Sequence, residues 1–232
     1  SYSFYVDGTA DWGWTESELP SAIELASLNT RAVQFGCLAM AIAPGGLVLE
    51  QWLAGLYEVG DSTLSHDLNI RSALGFERQS ELDRVLRINS HSHIIKASDA
   101  DIEWLYDLPV GAQLDSIATD WSQGGKLVVI TRGGEGATLY LNGAKLHAAA
   151  PKITLVDTVG AGDTFMANLL AELDLLDGLG ADPIARLARL SLGDLQRAAE
   201  IAAVAAGIVC ERKGCEPPTL AETTARVANQ AR

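Results

Sequence analysis

The chain has 232 residues, of which 48% are hydrophobic and 20% charged, and its formal net charge is −13 at pH 7. This length suits one large α/β domain, and the composition predicts a substantial buried core rather than disorder. Scattered Lys and Arg in an acidic chain argue against nucleic-acid and membrane-surface partners. No apolar run is long enough to predict a transmembrane helix, and nothing at the start resembles a signal peptide. Three cysteines without a C-x-x-C pair indicate a reducing cytoplasm and no zinc site.

Strand and helix patterns alternate along the chain. Apolar and β-branched runs predict strands, or strand ends, at 32–39, 64–70, 93–96, 126–131 and 153–156. Helices are predicted at 47–56, 81–88, 100–106, 165–173 and 194–210. Asn142-Gly143 indicates a hairpin within 137–148. Such alternation is typical of a doubly wound α/β fold with a parallel or mixed sheet, in which ligands bind beyond the carboxyl ends of the strands.

The most informative motif is Asp157-Thr158-Val159-Gly160-Ala161-Gly162-Asp163-Thr164-Phe165. It follows a predicted strand and precedes an apolar helical stretch, so it indicates strand, glycine turn and helix. The turn would present free N–H groups at a helix N-terminus, where the dipole favours negative charge. These groups would stabilise a transferred phosphoryl group, and the Asp163 carboxylate would accept the proton of an attacking hydroxyl. The alternative is a plain glycine turn in which Asp163 only caps the helix.

This nine-residue run resembles the C-terminal signature of the ribokinase-like (PfkB-type) sugar kinases. Other segments resemble the same family, and bacterial fructokinases in particular: Phe4–Asp11, Phe35–Ala39, His66–Arg71, Ile95–Asp101, Thr131–Ala137 and Arg212–Pro218. The resemblance implies a ribokinase-like, doubly wound, mostly parallel sheet with helices on both faces, lacking the family's N-terminal strands and lid. It also implies a single kinase domain over 1–232, with its nucleotide-binding half at about 93–232. The chain departs from the family pattern at Val6, where relatives carry Arg, and at Leu68, where they carry Pro.

By the same resemblance, the catalytic groups are the Asp163 carboxylate, as general base, and an anion hole formed by the N–H groups of Gly160, Ala161 and Gly162. The residues implied to bind ATP are Thr131, Arg132, Gly133 and Gly136. For Arg132, a surface salt bridge is the alternative interpretation.

The resemblance implies two cation sites and a phosphate or substrate site. Asp157 and the carbonyl of Val159 would hold a monovalent cation, K⁺ being favoured, unless Asp157 simply ends a strand. Ser98 and Asp101 would organise Mg²⁺ and its waters, although a capping box fits the same spacing. The residues implied to contact substrate or phosphate are Asp67, Asn69 and Arg71. Their period-two spacing would place them on one strand face, and a surface salt bridge is the alternative for Arg71.

The implied activity is transfer of the γ-phosphoryl group of ATP to a sugar hydroxyl with Mg²⁺, as in a fructokinase. Acceptors such as 2-keto-3-deoxygluconate, ribose or a nucleoside stay open within this class. A truncated remnant that binds ATP without turnover, and a Rossmann-type dinucleotide binder, are the alternatives from other classes. No Walker A motif and no protein-kinase motif occurs in the sequence. The implied partners are a small-molecule sugar and, in the full-length protein, a second copy bound through the lid.

Overall fold

The computed structural model describes Thr9 and residues 12–230. Within them the strands are β1 (Ala32–Gly36), β2 (Thr63–Asp67), β3 (Ile94–Ser98), β4 (Leu127–Thr131), β5 (Ala137–Leu141) and β6 (Ala144–Ala148). The α-helices are α1 (Ala22–Ser27), α2 (Cys37–Ala41), α3 (Gly45–Val59), α4 (Arg78–Ser90), α5 (Asp99–Leu105), α6 (Asp115–Trp121), α7 (Ala161–Leu175), α8 (Pro183–Leu187), α9 (Leu192–Cys210) and α10 (Leu220–Gln230). The predicted α/β class is confirmed. None of the described helices is long and apolar enough to cross a membrane.

The described residues form two compact units. Unit 1 contains those up to Leu114 together with Gly180–Ile184, and unit 2 contains Asp115–Leu179 and the described residues from Ala185 onward. The single domain over 1–232 and the boundary near residue 93 stay predictions.

Unit 1 is built on three parallel strands in the order β1, β2, β3. Leucines from α3 fill its core at the spacing expected for one helix face, namely Leu49, Leu53 and Leu56, and they pack with Leu64 of β2 and Ile88 of α4. α3 ends where Gly60 adopts a left-handed conformation, with φ of 73°, and returns its N–H to the Leu56 carbonyl. Because the three strands are parallel, their carboxyl ends lie side by side at one edge of the sheet, which packs on this core.

His66 of β2 is a titratable side chain buried in unit 1. Its ring stacks on Phe35, with 5.4 Å between the ring centroids. Its Nδ1 lies 2.8 Å from Oδ1 of the buried Asn89. Burial lowers the pKa of His66 from 6.5 to about 3, against the opposing effect of the hydrogen bond to Asn89. The imidazole is therefore neutral in the folded protein at physiological pH.

This burial predicts a pH dependence of stability. Because the pKa of His66 is lower in the folded than in the unfolded chain, its contribution is complete above pH 6.5 and is lost as the pH falls towards 3. Below pH 6.5 the loss should approach about 1.4 kcal/mol per pH unit. The His66→Gln variant should lose this part of the slope when urea unfolding is compared at pH 7, 6 and 5. The exposed His147→Gln should keep the parent slope, and an equal slope in both variants would contradict the prediction.

Unit 2 is built on three antiparallel strands in the order β4, β5, β6. The predicted hairpin is confirmed: Asn142 and Gly143 have φ of 50° and 78° and connect β5 to β6. The predicted Ala-rich helix is also confirmed as α9, which packs against α7, α10 and β6. Its many buried alanines allow α7 to approach closely along its length.

Two predicted strands need correction. The strand predicted at 153–156 is wrong, because the N–H groups of Val156 and Asp157 donate to the Cys210 carbonyl at the end of α9, at 2.9 and 3.2 Å. Carbonyls at a helix C-terminus lack intrahelical donors, so this segment satisfies one of them instead of joining a sheet. The strand predicted at 32–39 is too long. It ends at Gly36, and Cys37, with φ of 55°, begins α2.

Candidate active site

The glycine loop leads directly into α7. Gly160 is left-handed, with φ of 79°, and its carbonyl accepts the first intrahelical hydrogen bond, from the Thr164 N–H at 2.8 Å. The N–H groups of Gly162 and Asp163 precede that bond, as those of a helix N-terminus do. The Asp163 carboxylate is exposed in the first turn of α7. The structure thus places a carboxylate beside helix N-terminal donors, the arrangement that the sequence motif predicts.

One predicted anion-hole donor is engaged within the loop. The N–H of Ala161 donates to the Thr158 carbonyl at 3.2 Å and closes the turn. For the Ala161 N–H to donate to a phosphoryl oxygen, this turn would have to open. The Gly162 N–H could donate without such a change. Helix N-terminal donors of this kind favour an anion because the helix dipole adds to their hydrogen bonds.

Gly160 is required by its surroundings as well as by its φ angle. A Cβ at this position would overlap Sγ of Cys215 and lie 3.2 Å from the Cβ of the same residue. Cys215 belongs to the loop that follows α9, so this loop lies directly against the glycine turn. Sequence reasoning missed Cys215, since no local pattern connects a cysteine to a glycine 55 residues earlier.

Asp157 ties the same two loops together. Its Oδ1 accepts the Val159 N–H at 3.1 Å, and its Oδ2 accepts the Gly214 N–H at 3.0 Å. These backbone hydrogen bonds lower the pKa of Asp157 below its usual value. Each carboxylate oxygen keeps a further lone pair, so Asp157 and the Val159 carbonyl still fit a monovalent cation. That role stays a prediction.

Loss of this tie should be visible by proteolysis. In the parent chain the N–H groups of Val159 and Gly214 each donate to a different oxygen of Asp157. The side chain of Asp157→Asn keeps only one acceptor oxygen, so the substitution should free the Gly214 amide. Trypsin cleaves after Lys213, and the bond that it cuts contains this amide. We expect cleavage there to be about fivefold faster under native conditions, in line with the loss of one hydrogen bond. Asp174→Asn in α7 is the control, and parent-like cleavage of Asp157→Asn would refute the tie.

The predicted ATP segment lies between β4 and β5. The Arg132 N–H donates to the Gly136 carbonyl at 2.7 Å and closes a short turn through Gly133. A Cβ at Gly136 would overlap the Ala148 carbonyl oxygen. The Arg132 guanidinium donates to Oγ1 of Thr138 at 2.7 Å. The structure thus engages Arg132 within unit 2, and its contact with ATP stays a prediction.

A polar network adjoins Arg132. The Tyr140 hydroxyl donates to Asp115 Oδ1 at 2.6 Å, and Nζ of Lys145 lies 2.5 Å from the same oxygen. Burial and the hydrogen bond to Asp115 raise the pKa of Tyr140 to about 12. The hydrogen bonds from Lys145 and Tyr140 lower the pKa of the Asp115 carboxyl. Sequence reasoning missed this network, which fixes the β5–β6 hairpin against the start of α6.

The predicted substrate residues of unit 1 lie at the end of β2 and just after it. The carboxylate of Asp67 is buried and lies against the Lys96 ammonium, at 2.7 and 2.9 Å. The prediction of one strand face for Asp67, Asn69 and Arg71 is wrong, since β2 ends at Asp67 and Asn69 is left-handed, with φ of 43°. Their contact with phosphate or substrate stays a prediction.

Ser98 and Asp101 form the predicted capping box at the start of α5. The Asp101 N–H donates to Ser98 Oγ at 3.1 Å, and the Ser98 N–H donates to Asp101 Oδ2 at 2.8 Å. The other oxygen of Asp101 accepts the Ile70 N–H at 2.9 Å. Within the described ranges, no cluster of three or more His, Cys, Asp or Glu side chains could hold a metal. Proteins commonly bind Mg²⁺ through one or two side chains together with phosphate oxygens and water.

One predicted segment lies beyond reach of the structure. Phe4–Asp11, which includes the departure at Val6, falls outside the described residues except for Thr9.

The fold matches the fructokinase with bound ATP from Xylella fastidiosa with a TM-score of 0.85 and 19% identity, covering 100% of this chain and 71% of that one. It also matches a fructokinase from Vibrio cholerae O395, in its form with bound fructose, ADP and calcium ion, with a TM-score of 0.77 and 24% identity, covering 97% and 68%. The predicted ribokinase-like fold is thereby confirmed.

Sequence comparison gives the family. The model of the pfkB family carbohydrate kinases matches residues 47–222. The fructokinase of Rhizobium leguminosarum bv. trifolii is 36% identical over 176 residues, 75% of this chain and 51% of the relative. Fructokinase-1 of Zea mays is 29% identical over 174 residues, 74% and 52%. The chain belongs to the pfkB family of carbohydrate kinases, and it spans about half the length of these curated relatives.

Proposed function

We propose that this chain carries the phosphoryl-transfer machinery of a cytoplasmic, ATP-dependent fructokinase. The exposed carboxylate of Asp163, set among the N-terminal donors of α7, is the observation that carries the proposal. The identity of 36% to the Rhizobium fructokinase supports fructose as acceptor. The acceptors 2-keto-3-deoxygluconate, ribose and nucleosides remain alternatives within the class.

The residues of the glycine loop would act together in the reaction. The Asp163 carboxylate accepts the proton of the attacking sugar hydroxyl and thereby strengthens the nucleophile. The amides of Gly160 and Gly162, joined by Ala161 when its turn opens, donate to oxygens of the transferred group. ATP with Mg²⁺ supplies the phosphoryl group and offsets part of its charge.

The other predicted residues would hold the ligands. Arg71, with Asn69 beside it, pairs with a phosphate or with the sugar, and Asp67 supports them. Thr131 to Gly136 contacts ATP, and Ser98 and Asp101 order the waters of Mg²⁺. Asp157 and Val159 hold K⁺, which steadies the glycine loop. We further propose a homodimer for the full-length protein.

The test is sugar-dependent ADP release with Mg²⁺ and K⁺. We would measure it for the 232-residue chain and for a version extended at its N-terminus, with fructose, ribose, 2-keto-3-deoxygluconate and adenosine. Turnover that is fastest with fructose supports the proposal. Turnover that is fastest with another acceptor supports that alternative. ATP binding without ADP release from either form, with any acceptor, would identify a non-catalytic nucleotide-binding protein instead.

A further inference from the structure

A buried ion pair joins β2 to β3 at their carboxyl ends. Asp67 and Lys96 are register partners in the parallel ladder, so their side chains share one face of the sheet. The Lys96 ammonium lies 2.7 and 2.9 Å from the two carboxylate oxygens, and the side chains are only 6% and 8% exposed. A buried pair of this kind makes each partner costly to remove, because the other is left charged and out of water.

The residues just after this pair are held by the same part of unit 1. The Leu68 N–H donates to the Lys96 carbonyl at 3.0 Å. The Ile70 N–H donates to Asp101 Oδ1 at 2.9 Å. Between these two bonds the backbone turns through the left-handed Asn69. The path of the chain towards Arg71 is therefore set by successive contacts with β3 and α5.

The other side of Asp67 is closed by β1. A Cβ at Gly36 would overlap the Asp67 carbonyl oxygen, so the two backbones lie in close contact. The Asp67 carboxylate thus pairs with the Lys96 ammonium on β3, while the Asp67 backbone lies against Gly36 of β1. If Lys96 were neutral, the buried carboxylate would have to move towards water or towards another cation, and the residues that follow it would move as well.

We propose that Lys96 is a positioning residue, which holds Asn69 and Arg71 in their ligand-binding arrangement through its buried ion pair with Asp67. This inference rests on the proposed function, in which Arg71 contacts phosphate or sugar. This role requires no contact between Lys96 and either ligand. Lys96 neutralises the Asp67 carboxylate, which would otherwise move and shift the residues that follow it.

Amide hydrogen exchange tests the structural half of the proposal in the 232-residue chain. In Lys96→Met, peptides covering residues 68–74 should exchange at least about tenfold faster, while peptides from α4 keep the parent rate. The double variant Asp67→Leu with Lys96→Met should return towards the parent rate, because it leaves no buried charge unpaired. Lys126→Met, which removes a half-buried lysine just before β4, is the matched control.

Two results would overturn the role of Lys96. One is parent-like exchange of residues 68–74 in Lys96→Met. The other is equal acceleration in 68–74 and α4, which would mean that the ion pair contributes general stability alone. If Lys96→Met does not fold, Lys96→Gln takes its place. The Gln amide can still donate to Asp67 but carries no charge. The same two results would then overturn the role of Lys96.

A double-mutant cycle with Arg71 tests the functional half. If Lys96 acts through Arg71, adding Lys96→Met to Arg71→Ala should lower kcat/KM for ATP and for the sugar no further than Arg71→Ala alone. Multiplied losses would overturn the proposal. Absence of turnover in the parent with every acceptor would count against the proposed function, while hydrogen exchange still decides the role of Lys96.

Discussion

Replacing Asp163 by Asn is expected to lower kcat for sugar-dependent ADP release by about 10³-fold, within the range that general base catalysis supplies. Asn has nearly the same shape, but an amide cannot accept the proton of the attacking hydroxyl. Since Asp163 is exposed in the first turn of α7, the substitution should leave the fold unchanged. The Kd for Mg·ATP should stay within about threefold of the parent value, because the helix N-terminal donors persist.

The measurement is kcat by coupled ADP assay, together with Mg·ATP binding by calorimetry, on the form of the chain that shows turnover. Asp174→Asn is a matched control, since Asp174 is an exposed carboxylate of the same helix. It should keep the parent kcat. A comparable kcat in Asp163→Asn and the parent would rule out Asp163 as the base. Equal losses of kcat and ATP affinity would point instead to a damaged loop.

Gly160→Ala is expected to reduce kcat by at least about 100-fold, because a side chain at this left-handed position strains the loop that carries the anion-hole donors. Two costs combine at this position. A left-handed alanine loses about 1–2 kcal/mol relative to its ordinary conformation. Its Cβ would also overlap Sγ of Cys215 and lie 3.2 Å from the Cys215 Cβ, so the Cys215 side chain must rotate or the loop after α9 must give way.

A second substitution separates the two costs. In Gly160→Ala with Cys215→Gly the overlap disappears and only the left-handed backbone remains. The double variant should therefore recover part of kcat and most of the unfolding free energy, measured by urea titration. Cys215→Gly alone serves as the control. If the double variant is no better than Gly160→Ala, the contact with Cys215 does not set the position of the loop.

Local sequence was enough to predict the glycine turn and the helix start at the centre of the candidate site. Gly160 and Asp163 sit at the start of a strongly apolar helical stretch, and both the glycine turn and the start of α7 follow from that order. The capping box of Ser98 and Asp101 was predictable for the same reason, since its hydrogen bonds join residues three apart. Such features depend on neighbours in sequence and survive without knowledge of the fold.

The supporting contacts were not predictable in this way. Lys96 and Asp67 are 29 residues apart, and Asp157 and Gly214 are 57 apart. Their pairing depends on strand register and on where α9 ends, neither of which leaves a local signal. The strand predicted at 153–156 failed for a related reason. Its β-branched residues suit a β-ladder, but the N–H groups of Val156 and Asp157 donate to the Cys210 carbonyl instead.

The double attachment of the glycine loop has a consequence for protein engineering. The N–H groups of Val156 and Asp157 donate to the Cys210 carbonyl, and the Gly214 N–H donates to the Asp157 carboxylate. We therefore expect two stretches, residues 153–163 and 210–217, to act as one structural unit. Most of the chain from α7 to α9 lies between them in sequence. A chimera that imports the loop of another kinase would need to import both stretches together to keep the donors in register.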